Sequence, residues 1–207
     1  MCIRDSIGSG VACGQGGIRL DDTISSVLMY GNVFYRCSEA NFGGIQIHGG
    51  KDNICDNNLF IDCKYGISFS GWGQKRWEEV LAGYGKQRLD EVNALQPPYT
   101  ERYPDLLRIR ENADVNMVWR NVAVNCGSFL TRDRGIQQTM DNVVLAEDPG
   151  FQAPDKLNFG FKPGSSVFAS SVFRRIPVEE IGLYRHPLRA SWPVGNEVSP
   201  NFKPLPN

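Results

Sequence analysis

One short phrase occurs three times between residues 17 and 71: Gly17-Ile18-Arg19-Leu20-Asp21, Gly44-Ile45-Gln46-Ile47-His48 and Gly66-Ile67-Ser68-Phe69-Ser70. Each copy alternates apolar with polar residues, and a period of two predicts a strand with one buried and one solvated face. Ile18 with Leu20, Ile45 with Ile47 and Ile67 with Phe69 are expected to point inward. Arg19 with Asp21, Gln46 with His48 and Ser68 with Ser70 are expected to point out, so this outward set is where chemistry is sought.

A second phrase shares the spacing: Asn32-Val33-Phe34-Tyr35-Arg36-Cys37, Asn58-Leu59-Phe60-Ile61-Asp62-Cys63 and Asn121-Val122-Ala123-Val124-Asn125-Cys126. Asn32 and Asn58 are 26 residues apart, and the Gly-Ile phrases are 27 and 22 apart. Such periods indicate stacked repeats. The fold expected is an all-β, right-handed parallel β-helix, with an α-helical and loop insertion after the third coil and a C-terminal cap. Equivalent positions then stack at about the inter-strand spacing of 4.8 Å. Asn32, Asn58 and Asn121 are expected to form an amide ladder, with Cys13, Cys37, Cys63 and Cys126 as a buried stack beside it.

The 207 residues are 41% hydrophobic and carry a formal net charge of −1, enough apolar material for one domain. There is no basic run to suggest nucleic acid and no apolar run long enough to span a membrane. The stacking position accounts for four of the six cysteines, and no zinc-type spacing occurs, so neither a metal, another cofactor nor a cysteine nucleophile is expected.

Met1 to Ser6 reads as a non-native leader, and the uncapped start of the repeat suggests the C-terminal part of a longer protein. Coils are expected over 7–145. Asn58 and Asn121 lie 63 apart, which leaves roughly 40 residues beyond one period, placed as an insertion over 72–112. A Pro- and Gly-rich cap is expected over 146–192, and an extended tail over 193–207.

Asp21 faces out, Asp22 follows at the strand end, and His48 is expected beside Asp21 on the next coil, close enough to shift a carboxylate pKa. Asp21, Asp22 and His48 are therefore the candidate catalytic residues. Asp22-Thr23 also suits a turn in which Asp bonds its own backbone. Arg19, Gln46 and Ser70 are candidate substrate contacts on the same face. Arg132, Asp133 and Arg134 return towards it, and arginine forks suit uronate carboxylates. Of the insertion's aromatics, Trp72, Trp77, Tyr99 and Tyr103, most must form a local core. Trp72, nearest Ser70, is the expected sugar platform. Glu78 and Glu79 read as an exposed helix face that could supply a second acid.

Gly-Ile-Arg-Leu-Asp-Asp, Tyr-Gly-Asn-Val-Phe-Tyr-Arg, Ile-His-Gly-Gly-Lys-Asp-Asn, Asn-Asn-Leu-Phe-Ile-Asp-Cys and Glu-Glu-Ile-Gly-Leu-Tyr together resemble bacterial parallel β-helix proteins related to glycoside hydrolase family 141. The Asp-Asp pair beside a His also resembles the polygalacturonases, although their Asn-Thr-Asp and Arg-x-Lys motifs are absent. The resemblance implies a secreted or periplasmic glycoside hydrolase, a monomer when full length, acting on a plant or algal cell-wall polysaccharide or its oligosaccharides. Glycosidic hydrolysis needs two carboxyl groups about 5–9.5 Å apart. Two alternatives stand beside it: a polysaccharide lyase on uronate polymers, and a non-catalytic carbohydrate-binding β-helix.

Overall fold

The repeated phrases become short strands that pair in parallel and in register. The computed structural model describes residues 16–38, 41–132, 136–170 and 172–178. Its strands are β1 (Ile18–Leu20), β2 (Leu28–Tyr30), β3 (Val33–Tyr35), β4 (Ile45–His48), β5 (Ile54–Asp56), β6 (Leu59–Ile61), β7 (Tyr65–Ser70), β8 (Asn116–Trp119), β9 (Val122–Val124), β10 (Ser128–Arg132), β11 (Gln137–Met140), β12 (Val143–Leu145), β13 (Phe151–Ala153) and β14 (Asn158–Phe161). They form three four-stranded parallel sheets in the orders β1-β4-β7-β10, β11-β8-β5-β2 and β12-β9-β6-β3, and an antiparallel β13-β14 pair. Ile18 pairs with Ile45 and Ile45 with Ile67. Val33 pairs with Leu59 and Leu59 with Val122.

Between the second and third sheets the chain turns through a residue of left-handed conformation followed by an asparagine. Gly31, Asn57, Arg120 and Asp141 have φ between 50° and 67°; each precedes an asparagine of the ladder. Asn58 Nδ2 donates to Asn121 Oδ1 at 3.0 Å, and Asn58 Oδ1 accepts from Asn32 Nδ2 at 2.9 Å and from its backbone N–H at 3.0 Å. Asn142 adds a further step, accepting from Asn121 Nδ2 at 2.9 Å. A second ladder links Asn53 to Asn116. Buried amides paired in this way satisfy backbone groups that a turn would otherwise strand.

One core draws on all three sheets and includes Leu20, Ile47, Phe69, Met29, Cys55, Phe34 and Phe60. The rings of Phe34 and Phe60 stack at 4.9 Å and 8°, and a Cβ at Gly17 or Gly44 would meet those rings at 2.8 and 3.0 Å. The glycine opening each phrase is thus the space a phenylalanine fills. The other face of the third sheet packs Val33, Leu59 and Val122 against Phe151, Phe161, Val167 and Phe173 of the following segment. That segment is the β13-β14 pair and a short helix, Ser166–Ser170, and Asn57 exchanges two hydrogen bonds with the backbone of Arg174.

Between β7 and β8 lie α1 (Gly73–Ala82), α2 (Tyr84–Glu91), α3 (Tyr99–Arg102) and a 3-10 turn, Pro104–Arg108. On α1 the buried residues Trp77 and Leu81 are four apart, one face of a helix, and with Trp72 they form a separate small core. Asp114 closes the segment at its base: its carboxylate accepts from the backbone N–H of Trp72 at 3.0 Å and from that of Gly73.

An all-β class does not describe this chain. Three separate parallel sheets, one antiparallel pair and a helical segment make an α/β composition, and a closed solenoid is not among the described elements. The expected all-β, right-handed parallel β-helix is corrected accordingly. The physical reason is that much of the long Asn58 to Asn121 interval goes into helices, while each strand bonds only within its own sheet. The leader, Cys13 and the tail lie outside the described residues.

Candidate functional site

Asp21 follows Leu20, the last residue of β1 and the partner of Ile47, so it takes the place in its column beside His48. His48 in turn pairs with Ser70. The Asp21 carboxylate turns along its own strand and accepts from Arg19 Nη2 at 2.8 Å. That hydrogen bond, with the positive charge behind it, holds the Asp21 pKa below its ordinary value of 3.8. Asp22 approaches His48, with Oδ1 3.9 Å from Nε2. Asp22 also has φ +52°, a conformation that Asp tolerates because its short side chain can bond locally. It therefore fills the turn position and still faces the imidazole.

The carboxylates of Asp21 and Asp22 are 56% and 62% exposed, and His48 is partly covered. One ligand atom from each of the three lies within 4.8 Å of the others. They are the group with metal-ligand spacing among the described residues, and such a mixed oxygen and nitrogen set can hold a divalent cation; exposed acidic groups are also common without one. The repeat interval brings the same three residues together from sequence, but with Asp22 and His48 26 residues apart no short metal-binding spacing marks them as ligands.

Two expected substrate contacts are less open than the period of two suggests. Gln46 is only 1% exposed: its Nε2 donates to Ser70 Oγ at 3.0 Å and its Oε1 accepts from Ser68. Ser68 Oγ in turn accepts from the Gly43 N–H at 2.7 Å. The column is polar but bonds within itself, leaving Arg19 as its exposed member. Ser70 is half-buried.

Trp72 is 7% exposed. Its ring stands edge-on to His48 at 5.9 Å, the Arg76 guanidinium lies 4.1 Å from its centre, and a Cβ at Gly49 would come within 2.8 Å of it. These neighbours occupy the ring, which serves as a wall beside His48, so the expectation of a sugar platform there is corrected. Glu78 and Glu79 lie on the exposed face of α1, bonded to Gln74 and facing Lys75 respectively. Arg132 ends β10; its side chain, and Asp133 and Arg134 entirely, lie outside the described residues.

Sequence reasoning passed over Lys51. It is buried, and its Nζ donates to the carbonyls of Arg108, at 3.2 Å, and Glu111. The helical segment is thereby fastened to the turn that follows His48. A lysine after two glycines was the available signal, since a long cation next to so tight a turn must reach across to something.

No family model, curated protein or solved structure matches this chain. Among the described residues no helix is long and apolar enough to cross a membrane.

Proposed function

We propose that this protein is a carbohydrate-active enzyme that hydrolyses glycosidic bonds in a cell-wall polysaccharide, with Asp21 and Asp22 as its carboxylate pair. The observation that carries this reading is the open grouping of two carboxylates and an imidazole within 4.8 Å. A gap this short leaves no room for the water that inverting hydrolysis places between its acids, and lies nearer the 5–5.5 Å of double displacement. Asp21, held ionised by Arg19, suits the nucleophile, which must attack as the anion. Asp22 and His48 are the pair that passes the proton to the leaving oxygen and later takes one from water. A polymer substrate would place this work in the secreted or periplasmic space.

The test is product analysis on purified polysaccharides. Hydrolysis with retention gives new reducing ends of unchanged anomeric configuration by NMR, and Asp21→Asn abolishes them. New ends of inverted configuration, or cleavage undiminished in both Asp21→Asn and Asp22→Asn, would sink the assignment. A second reading takes the two carboxylates of the grouping as a cation site: a uronate lyase, in which His48, left off the cation, removes the C5 proton. It gives an unsaturated, ultraviolet-absorbing product and loses activity on chelation.

A further inference from the structure

A cleft of about 540 Å³ opens between the helical segment and two turns of the sheet body. Its floor is the turn carrying Ser25 and Ser26 and the turn carrying Lys51 and Asp52. The two are tied together by hydrogen bonds from Ser26 N to Lys51 O at 3.0 Å and from Lys51 N to Ser25 Oγ at 3.1 Å. Its opposite flank is Arg102, Tyr103 and Asp105 with the apolar residues behind them.

We infer that this cleft binds a neutral oligosaccharide, with Tyr103 as the platform for a sugar ring. Tyr103 is 51% exposed, which a tyrosine serving only a local core would not be. The Arg102 guanidinium lies over one face of its ring, 5.5 Å from the centre, so it is the opposite face that a sugar would stack on, with the guanidinium donors beside it. Across the cleft the Ser26 hydroxyl and the Asp52 carboxylate, and on Tyr103's own flank the Asp105 carboxylate, suit sugar hydroxyls. The lining charges balance, Arg102 and Lys51 against Asp52 and Asp105, and the Lys51 ammonium is already committed to two carbonyls and to Asp52 at 3.4 Å. An anionic ligand, uronate or phosphate, would meet two carboxylates and one free guanidinium. A neutral ring brings an apolar face for Tyr103 and hydroxyls for the rest.

The cleft adjoins the candidate site through both of its floor turns. Ser25 follows Asp22 by three residues and Lys51 follows His48 by three, so each separation is at most about 11 Å along the chain. One oligosaccharide can therefore engage both. This makes the cleft a subsite of the proposed hydrolase, and the inference rests on that reading for its biological substrate, while binding is measurable without cleavage.

The experiment is titration of the full chain, by NMR and calorimetry, with xylotetraose, cellotetraose, mannotetraose and tetragalacturonate, products being followed separately. At least one neutral tetrasaccharide is expected to bind. Tyr103→Ala is expected to weaken it about tenfold, Tyr103→Phe to retain it, and Arg102→Ala to weaken it severalfold. Both side chains are exposed, so these variants keep the fold. Binding of tetragalacturonate alone, binding of none of the neutral sugars, or unchanged affinity in Tyr103→Ala overturns the inference. Binding that depends on Tyr103 without any cleavage overturns the hydrolase reading and leaves the inference standing.

Discussion

The ring of His48 meets the ring of Trp72 edge to face, with centroids 5.9 Å apart and planes at 86°. One residue ends a strand of the first sheet and the other opens the helical segment, so the imidazole is oriented by an element outside the sheet. Replacing Trp72 with Leu keeps an apolar side chain there and removes the ring. The His48 ring-proton resonances are expected to move as the ring current disappears, and activity to fall about tenfold through lost orientation. Unmoved resonances would show that Trp72 does not hold His48.

Arg19 sets the charge state of Asp21. Because the folded pKa lies below 3.8, the favourable pairing is complete above the ordinary carboxylate range and is lost as pH falls through the depressed midpoint. Both side chains are substantially exposed, so solvent screens the pair and global stability is expected to change little. The readout is the Asp21 carboxyl resonance, whose midpoint should lie below 3.8 in the native protein and return towards it in Arg19→Gln. An unchanged midpoint would rule out Arg19 as the cause.

The stacked thiols differ sharply although they occupy one position of the repeat. Cys63 is buried, and a hydrogen bond with Cys126, with burial adding to it, drives its pKa upward. The same hydrogen bond lowers that of the partly exposed Cys126. Burial alone raises Cys55. Iodoacetamide on the native protein is expected to label Cys126 well before Cys37, Cys55 or Cys63, read by peptide mapping. Labelling of Cys55 at a comparable rate would contradict the packing described here.

Asn58 is the central amide of its ladder, donating to Met29 O at 2.9 Å and Asn121 Oδ1 at 3.0 Å while accepting twice from Asn32. Truncation to Ala strands three partner residues on two neighbouring turns, and about 3 kcal/mol of stability should be lost. Asn125, exposed, at φ +50° and bonded through its side-chain Nδ2 to Asp62, should lose only about 1 kcal/mol on change to Ala, most of it from its left-handed backbone. Equal denaturation midpoints for the two variants would remove the ladder's assigned role.

What the sequence disclosed follows from which physical rules are local. The register of Ile18 with Ile45 and Ile67, and of Asn32 with Asn58 and Asn121, is written in repeated phrases, because in-register parallel pairing places like residues together. The second ladder stayed hidden, since Asn53 and Asn116 share no longer phrase. Its next position is Gln137, whose side-chain amide has no hydrogen-bond partner among the described residues. The overall class was misjudged for a related reason: repeats report what stacks, not how the intervening chain is spent. At the site, alternation placed Asp21 and His48 at neighbouring places of one column. The turn of the Asp21 carboxylate to Arg19, the burial of Gln46 and the covering of Trp72 depend on neighbours distant in sequence, which period-two patterning does not encode.

Lys51 shows how such a long-range contact can be tested. Its stem is buried, and its ammonium holds the carbonyls of Arg108 and Glu111, the last turns of the helical segment before the chain rejoins the sheets. Lys51→Met preserves the stem and removes the donor, leaving two carbonyls to find water. The loss is expected to be about 1–3 kcal/mol, and local, because Asp114 still ties the base of the segment to Trp72. Limited proteolysis should therefore accelerate severalfold within residues 99–111 while the Asn58 ladder keeps its amide-exchange protection. Affinity for a bound tetrasaccharide should fall with it, since Arg102 and Tyr103 lie on the released flank. Uniform loss of protection across the sheets would instead make Lys51 a determinant of the whole fold, and unchanged proteolysis would mean that the segment is held by its own core alone.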